Sequence, residues 1–327
     1  MKAIVFYEYG SPDVLKYEEI ERPAPGDREV LIKVRAASIN PYDWHFMRGE
    51  PYLLRLMAGL RRPKDRRLGI DVAGQVEAAG KNVTRFKPGD EVFGSCRGAL
   101  AEYACASESM LVVKPHHVTF EQAASVPVAA FTALQGLRDH GKVEPGHRVL
   151  INGASGGVGT FAVQIGQWLG AEVTGVCSTR NVEMVRTLGA DHVMDYTQED
   201  FTRGGQRYDL IFDPVGNHSL SALRRVLNPK GTCVVVGGPS GLWIGPLGSF
   251  VKARALSPFL SQRLVAILAK PNREDLTILA ELMAAGKVTP VIDRRYRLSE
   301  IPDAIRYLEG GHARGKVVIT AEDENQI

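Results

Sequence analysis

The chain has 327 residues, of which 44% are hydrophobic and 24% charged, and a formal net charge of +3. That length exceeds what one hydrophobic core usually serves, so two lobes are expected. The modest charge argues against a dedicated polyanion binder, and no specific nucleic-acid partner is expected. No uncharged apolar run reaches the roughly 18 residues of a membrane span, and Met1-Lys-Ala-Ile-Val-Phe6 reads as a strand rather than a signal peptide; the cytoplasm is the expected compartment.

The first part of the chain has a β-rich texture, with runs such as Glu29 to Ala36 and Asp71 to Ala78 separated by Pro and Gly turns. Pro88-Gly89 breaks regular structure between two such strands. At Val149 the texture changes. Val149-Leu-Ile-Asn-Gly-Ala-Ser-Gly-Gly-Val-Gly159 is an apolar strand that runs into a glycine-rich turn, succeeded by a helix-like stretch from Thr160 to Leu169. Such a turn sets free backbone N–H groups and the positive end of a helix dipole against a pyrophosphate, so Ser155, Gly156, Gly157, Val158 and Gly159 are candidate cofactor contacts. Ala154 replaces the first glycine of the usual G-x-G-x-x-G pattern, so the motif draws its weight from the elements C-terminal to it.

Beyond Leu169 short strands and helices alternate: strands at Glu172 to Val176, His192 to Met194, Asp209 to Phe212 and Thr232 to Val236, with helices at Val182 to Leu188 and Leu220 to Leu227. Connections this short between strand and helix predict a doubly wound parallel sheet. The tail offers a helix at Leu276 to Ala285, a strand at Val288 to Ile292, a helix at Ile301 to Glu309 and a strand at Lys316 to Thr320, which are expected to return to the first lobe.

The end of the second strand of this series bears on cofactor choice. An acidic residue about 20 positions beyond the glycine turn bonds the ribose hydroxyls of NAD. Here the chain reads Val176-Cys-Ser-Thr-Arg180. Hydroxyls and a guanidinium bond a 2′-phosphate that a carboxylate repels, so NADPH is the expected cofactor, with Ser178 and Arg180 on its phosphate and Tyr196 flanking the adenine or phosphate. Ser178 as a simple helix cap is the competing reading.

Residues 214–273 contain no Asp or Glu but carry eight Lys or Arg, around the apolar stretch Gly241 to Val251 and a possible amphipathic helix at Leu256 to Leu268. With a second basic cluster from Arg55 to Arg67, this segment suggests either a dimer edge or weak contact with a membrane surface.

Asn40, Gly89-Asp-Glu-Val92, Ala130-Phe-Thr-Ala133, the Ala154 to Gly159 turn and Gly311-His-Ala-Arg-Gly-Lys-Val-Val318 fall in an order that resembles the medium-chain dehydrogenase/reductases over nearly the whole chain. The similarity is to the zinc-free quinone oxidoreductase branch, which includes reticulon-interacting oxidoreductases and enone reductases. It implies a GroES-like β-rich catalytic domain, interrupted by a doubly wound Rossmann domain that binds NADPH, with an active site in the cleft between them. The expected division is 1–119 and 266–327 for the catalytic domain and 120–265 for the nucleotide domain. The resemblance also implies a homodimer.

Zinc-dependent members of that family carry an early Cys and a Gly-His-Glu. Here Asn40 and Gly69-Ile70-Asp71 stand near those positions, and the four cysteines are scattered, so no metal site is expected. Without a Lewis acid an alcohol is hard to oxidise, whereas a quinone or an α,β-unsaturated carbonyl already accepts hydride. A zinc-independent, NADPH-dependent reductase of such small electrophilic substrates is therefore expected. By resemblance Asn40 lies near nicotinamide and substrate oxygen, and Asp43 matches a further family position. His45 stands where bacterial quinone reductases tend to have tyrosine, so the proton donor is open between His45 and Tyr52. Thr132, Val215, Gly237 and Gly238 are expected beside the nicotinamide, and Lys316 near a cofactor phosphate. The rival readings are an alcohol dehydrogenase-like enzyme and an NADPH-binding sensor with little turnover.

Overall fold

The computed structural model describes residues 1–236 and 261–321. In chain order its main elements are β1 (Lys2–Val5), β2 (Lys16–Glu19), β3 (Glu29–Ile39), α1 (Pro41–Arg48), α2 (Arg55–Ala58), β4 (Asp71–Ala79), β5 (Glu91–Ser95), β6 (Tyr103–Ser107), β7 (Leu111–Val113), α3 (Phe120–Ala124) and α4 (Pro127–Leu134). They continue with β8 (Arg148–Asn152), α5 (Gly157–Trp168), β9 (Glu172–Cys177), α6 (Val182–Thr187), β10 (His192–Asp195), β11 (Tyr208–Asp213), α7 (Leu220–Arg225), β12 (Leu227–Val235) and β13 (Arg263–Ala266). The tail supplies α8 (Arg273–Ala284), β14 (Ile292–Arg297), α9 (Ile301–Glu309) and β15 (Lys316–Thr320). The chain forms two compact units, residues 1–128 with 271–327, and residues 129–270.

The first unit is organised by β3. Its early half pairs antiparallel with β6, its later half with β15, and its other edge with β4. β5 and β7 extend the sheet beyond β4, and β14 runs parallel to β15. Ile32, Val34 and Ile39 of β3 pack with Ile4, Phe6, Leu100, Leu111 and Val317 in one apolar core. The sheet is mainly antiparallel and β-rich, which is the GroES-like character expected of this lobe.

The second unit is a six-stranded sheet of order β10-β9-β8-β11-β12-β13, with every neighbouring pair parallel. Numbered from β8, this is the 3-2-1-4-5-6 order of doubly wound nucleotide-binding folds, and its switch point lies between β8 and β11. Ligands of such sheets bind beyond the carboxyl ends of the strands at that point. β8 is buried through Val149, Leu150 and Ile151, as a strand covered on both faces must be.

Two local expectations fail for identifiable reasons. The amphipathic helix proposed for Leu256 to Leu268 lies partly outside the described residues, and its end forms β13, which adds a parallel edge strand to β12. A short apolar run satisfies either period, and pairing to an open sheet edge decided between them. The strand expected at Val288 to Ile292 forms instead at Ile292–Arg297, across Asp293, Arg294 and Arg295. It pairs only with β15 among the described strands, and an edge tolerates charges that an interior strand would not. Among the described residues no helix is long and apolar enough to cross a membrane.

The turn after β8 is shaped by close approach. Gly153 has φ +80°, and a Cβ on residue 159 would lie 2.0 Å from the Gly153 carbonyl oxygen, whereas one on residue 156 would meet that oxygen at 3.4 Å. Gly159→Ala should therefore lower unfolding free energy by about 2 kcal/mol or more, and Gly156→Ala by less than about 1 kcal/mol. Urea unfolding of both variants checks this; equal midpoints would show that the turn needs no glycine at 159.

Candidate active site

In the first unit, a polar cluster forms where three strands and a helix start meet. The β3–β4 register sets Ser38 opposite Asp71, and the β3–β15 register runs Val317 against Ile39, so Lys316 arrives beside Asn40. Asp71 has no solvent exposure. Its Oδ2 accepts from Ser38 Oγ and Asn40 Nδ2, each at 2.9 Å, and its Oδ1 from the Val128 N–H at 3.0 Å. Lys316 Nζ donates to Asn40 Oδ1 at 2.5 Å, with Asp71 Oδ2 and the Ile39 carbonyl both at 3.5 Å. Asn40 is therefore held at both ends of its amide, with one N–H of Nδ2 spent on Asp71.

Asn40 ends the extended strand and Pro41 opens α1 with a preset φ. Asp43, at the third position of that helix, accepts from the Asn40 N–H at 2.7 Å and from the Gly69 N–H at 3.1 Å. Its complete burial, with nearby Asp71 adding repulsion, pushes its carboxyl up to about 7, although both backbone N–H groups and Lys316 oppose the shift. Burial likewise pulls the Lys316 ammonium below its usual range against the attraction of Asp71 and Asp43.

The two proton-donor candidates are occupied by other contacts. His45 stacks on Trp44 with ring centres 3.6 Å apart, and its Nδ1 lies 2.9 Å from the Glu50 carbonyl oxygen. A carbonyl only accepts, so Nδ1 carries the hydrogen and Nε2 of the neutral ring is an acceptor. Burial lowers the His45 pKa and favours that neutral form. Tyr52 packs its ring against the Arg55 guanidinium at 4.6 Å, and Tyr9 lies at the same distance from that guanidinium.

In the second unit, Gly156 caps α5, a twelve-residue helix with no side chain at its cap to fill the space before its first N–H groups. Ser155 precedes it, and Ser178 directly follows β9. Asn181 Nδ2 joins the two, donating to Ser155 Oγ at 3.0 Å and Ser178 Oγ at 3.2 Å. Thr179 and Arg180 are exposed, as is Tyr196 after β10. At the switch point, Asn152 Nδ2 donates to Asp213 Oδ1 at 2.8 Å, and the same oxygen accepts from the N–H groups of Val215 and Gly216. That fixes the turn that leaves the Val215 side chain exposed. Thr132 is buried on α4. These features suit a nicotinamide dinucleotide: a glycine cradle before a helix, hydroxyls at the end of the second strand, and room where a Cβ is missing.

The structure thus gathers Asn40, Asp43 and Lys316 into one cluster and gathers Ser155 and Ser178 around Asn181. Gly237 and Gly238 lie outside the described residues, as does the apolar stretch Gly241 to Val251. Lys316, expected near a cofactor phosphate, has its ammonium buried among three protein acceptors. Sequence reasoning missed Asp71 and Asn181 as participants. Asp71 stood in the Gly69-Ile70-Asp71 triplet, and cross-strand pairing with Ser38 was the signal available for it. Among the described residues no group of three or more His, Cys, Asp or Glu side chains is arranged to hold a metal ion.

Residues 26–116 match the family model for the alcohol dehydrogenase GroES-like domain, and residues 188–319 the model for zinc-binding dehydrogenases. A chloroplastic quinone-oxidoreductase homolog of Spinacia oleracea is 35% identical, with 98% of each chain covered. The mitochondrial NAD(P)H oxidoreductase RTN4IP1 of Bos taurus is 37% identical over 98% of this chain and 89% of its own, and a 2-methylene-furan-3-one reductase of Solanum lycopersicum 33% identical over 98% and 79%. Among solved structures, the quinone oxidoreductase of Coxiella burnetii superposes with a TM-score of 0.87 at 32% identity, covering 98% of this chain and 99% of that one. The Escherichia coli quinone oxidoreductase complexed with NADPH does so with a TM-score of 0.84 at 25% identity, covering 98% and 100%. With both domain models in register and full-length relatives at this identity, the chain belongs to the medium-chain dehydrogenase/reductase family, in its quinone oxidoreductase branch.

Proposed function

We propose that the protein is a zinc-independent, NADPH-dependent reductase of quinones or α,β-unsaturated carbonyl compounds. The observation that carries this reading is the clamped amide of Asn40. Lys316 holds its oxygen and Asp71 one of its N–H bonds, so the amide offers a single further N–H donor. A donor fixed in this way suits an oxygen that gains negative charge as a conjugated acceptor is reduced. NADPH, when bound, supplies the hydride. The chain's own residues orient the acceptor and bond its oxygen, and a neutral His45 with an acceptor Nε2 favours water over this side chain as the proton source.

Zinc independence is supported by the chemistry of the donors. Asn40 and Ile70 stand near the positions where the zinc-dependent members carry a cysteine and a histidine, and neither side chain is a zinc ligand of that set. NADPH over NADH is supported by Ser178, Thr179 and Arg180 at the end of β9. The carboxylate in that neighbourhood, Asp195, is turned to the hydroxyls of Thr179 at 2.6 Å and Thr197 at 2.8 Å, bonds that hold it ionised. The acceptor class is supported by the quinone and enone activities in the names of the relatives. A cytoplasmic homodimer is the proposed working form, although the relatives cited are chloroplastic and mitochondrial proteins.

Three outcomes test this reading. Asn40→Ala should cut kcat for a quinone about 100-fold while the Kd for NADPH changes by less than about threefold; stopped-flow turnover beside fluorescence titration measures both, and equal losses would remove the oxyanion role. Arg180→Ala should weaken NADPH about tenfold and NADH less than about twofold. A uniform loss would place Arg180 away from the 2′-phosphate. The third concerns pH. Asp43 holds its proton up to about 7 in the folded chain but loses it near the ordinary carboxylate value when unfolded, so its stabilisation is complete in acid and disappears as pH rises through 7. Between pH 5 and 7 the unfolding free energy should carry a falling contribution of up to about 1.4 kcal/mol per pH unit. Asp43→Asn should remove that slope while lowering stability overall, because an amide offers one acceptor oxygen to two backbone donors; an unchanged slope in urea titrations would exclude Asp43 as its source.

A further inference from the structure

Asn181 occupies the N-cap position of α6, where an asparagine side chain ordinarily accepts from the first free N–H groups of the helix. It makes no such bond. Asn272, with an extended backbone before α8, does cap and accepts from the Asp275 N–H at 2.8 Å, whereas Asn181 has helical φ and ψ and ends the 3-10 turn Thr179–Asn181 that leads into α6. Asn181 is instead turned inward, 4% exposed, and spends its amide N–H bonds on Ser155 and Ser178. Its Oδ1 is buried without a partner among the described residues. A buried carbonyl left unsatisfied costs stability.

The arrangement does have a consequence for a ligand. A serine oxygen that accepts from an amide N–H keeps its own hydrogen for another partner. Because both hydroxyls accept from the same Nδ2, both are set as donors, one in the glycine turn and one at the end of β9. Those are the places where a dinucleotide of this fold carries its pyrophosphate and its adenosine ribose. We propose that Asn181 is the positioning residue of the cofactor site, presetting Ser155 as a donor to the pyrophosphate and Ser178 as a donor to the 2′-phosphate. The orphaned Oδ1 needs a donor, which a phosphate lacks and a ribose hydroxyl provides. This inference rests on the NADPH reading above for Ser178, but not for Ser155.

The experiment is a set of equilibrium titrations of the full chain with NADPH, NADH and 2′,5′-ADP, followed by fluorescence or calorimetry, with no turnover required. Asn181→Leu should weaken NADPH about tenfold in the wild-type background and less than about twofold in a chain already carrying Ser155→Ala and Ser178→Ala. Asn181→Asp keeps the shape but reverses the polarity, because a carboxylate only accepts and draws both hydroxyl hydrogens to itself. It should weaken NADPH more than the leucine variant, and it supplies the result if that variant fails to fold. Equal losses with and without the serines, or an affinity unchanged by Asp, would overturn the proposal. Wild-type affinity for NADH equal to that for NADPH would defeat the 2′-phosphate reading alone. The coupling of Asn181→Leu to Ser155→Ala, measured with NADH, would still decide the role of Asn181: non-additive losses sustain it and additive ones end it.

Discussion

A carboxylate removed from water must be matched by donors, and Asp71 is matched from four directions. Ser38 reaches it across the β3–β4 pair, Asn40 from the end of β3, Lys316 from β15, and the Val128 N–H from the start of α4. Losing any one of these leaves a buried charge short of partners, a penalty of a few kcal/mol rather than the fraction typical of a surface pair. The first unit is therefore tied to one geometry at the point where its strands, separated widely in sequence, converge. The apolar core sets the sheets together, and this cluster specifies their register.

That dependence explains why Lys316 belongs to the tail. Lys316 and Asn40 are 276 residues apart, and their meeting rests on β15 lying antiparallel to the later half of β3. β6 takes the earlier half, so the return of the chain completes the edge of β3 that would otherwise stay open. One pairing event thus satisfies backbone groups, supplies the counter-charge of Asp71 and fixes the amide oxygen of Asn40. The first unit is not finished until the tail arrives.

Much of this was legible in the residues themselves. The alternation from Val149 to Val235 carried the parallel sheet because short connections leave strand, helix and strand little choice of arrangement, and the helix at Ile301–Glu309 and the strand at Lys316–Thr320 formed where their patterns stood. Less regular positions were not legible. β14 is charged along an edge, and β13 is too short for its period to distinguish strand from helix. Asn40 and Asp43 were singled out through the resemblance to the family. The partners of Lys316 could not be singled out, since a lysine in a Gly-Lys-Val run reads as exposed until the register buries it. Asn181 was invisible for a related reason: at a helix start it has an ordinary local role, and only its side-chain direction shows that it is used otherwise.

The charge balance of the cluster bears directly on Asn40 as a donor. On the reading proposed for Asn40, as donor to a developing anion, two carboxylates and one ammonium would leave a net negative charge beside it and weaken it. Asp43, pushed up to about 7, spends much of its time neutral near physiological pH, and its capping bonds to the Asn40 and Gly69 N–H groups fix its place. With that carboxyl protonated, Asp71 and Lys316 balance each other, and the remaining N–H of Asn40 faces no uncompensated negative charge from within the cluster. A burial that costs the fold stability at high pH is then the same burial that keeps the amide an effective donor, because in a medium of low dielectric neither the stray charge nor the hydrogen bond is screened.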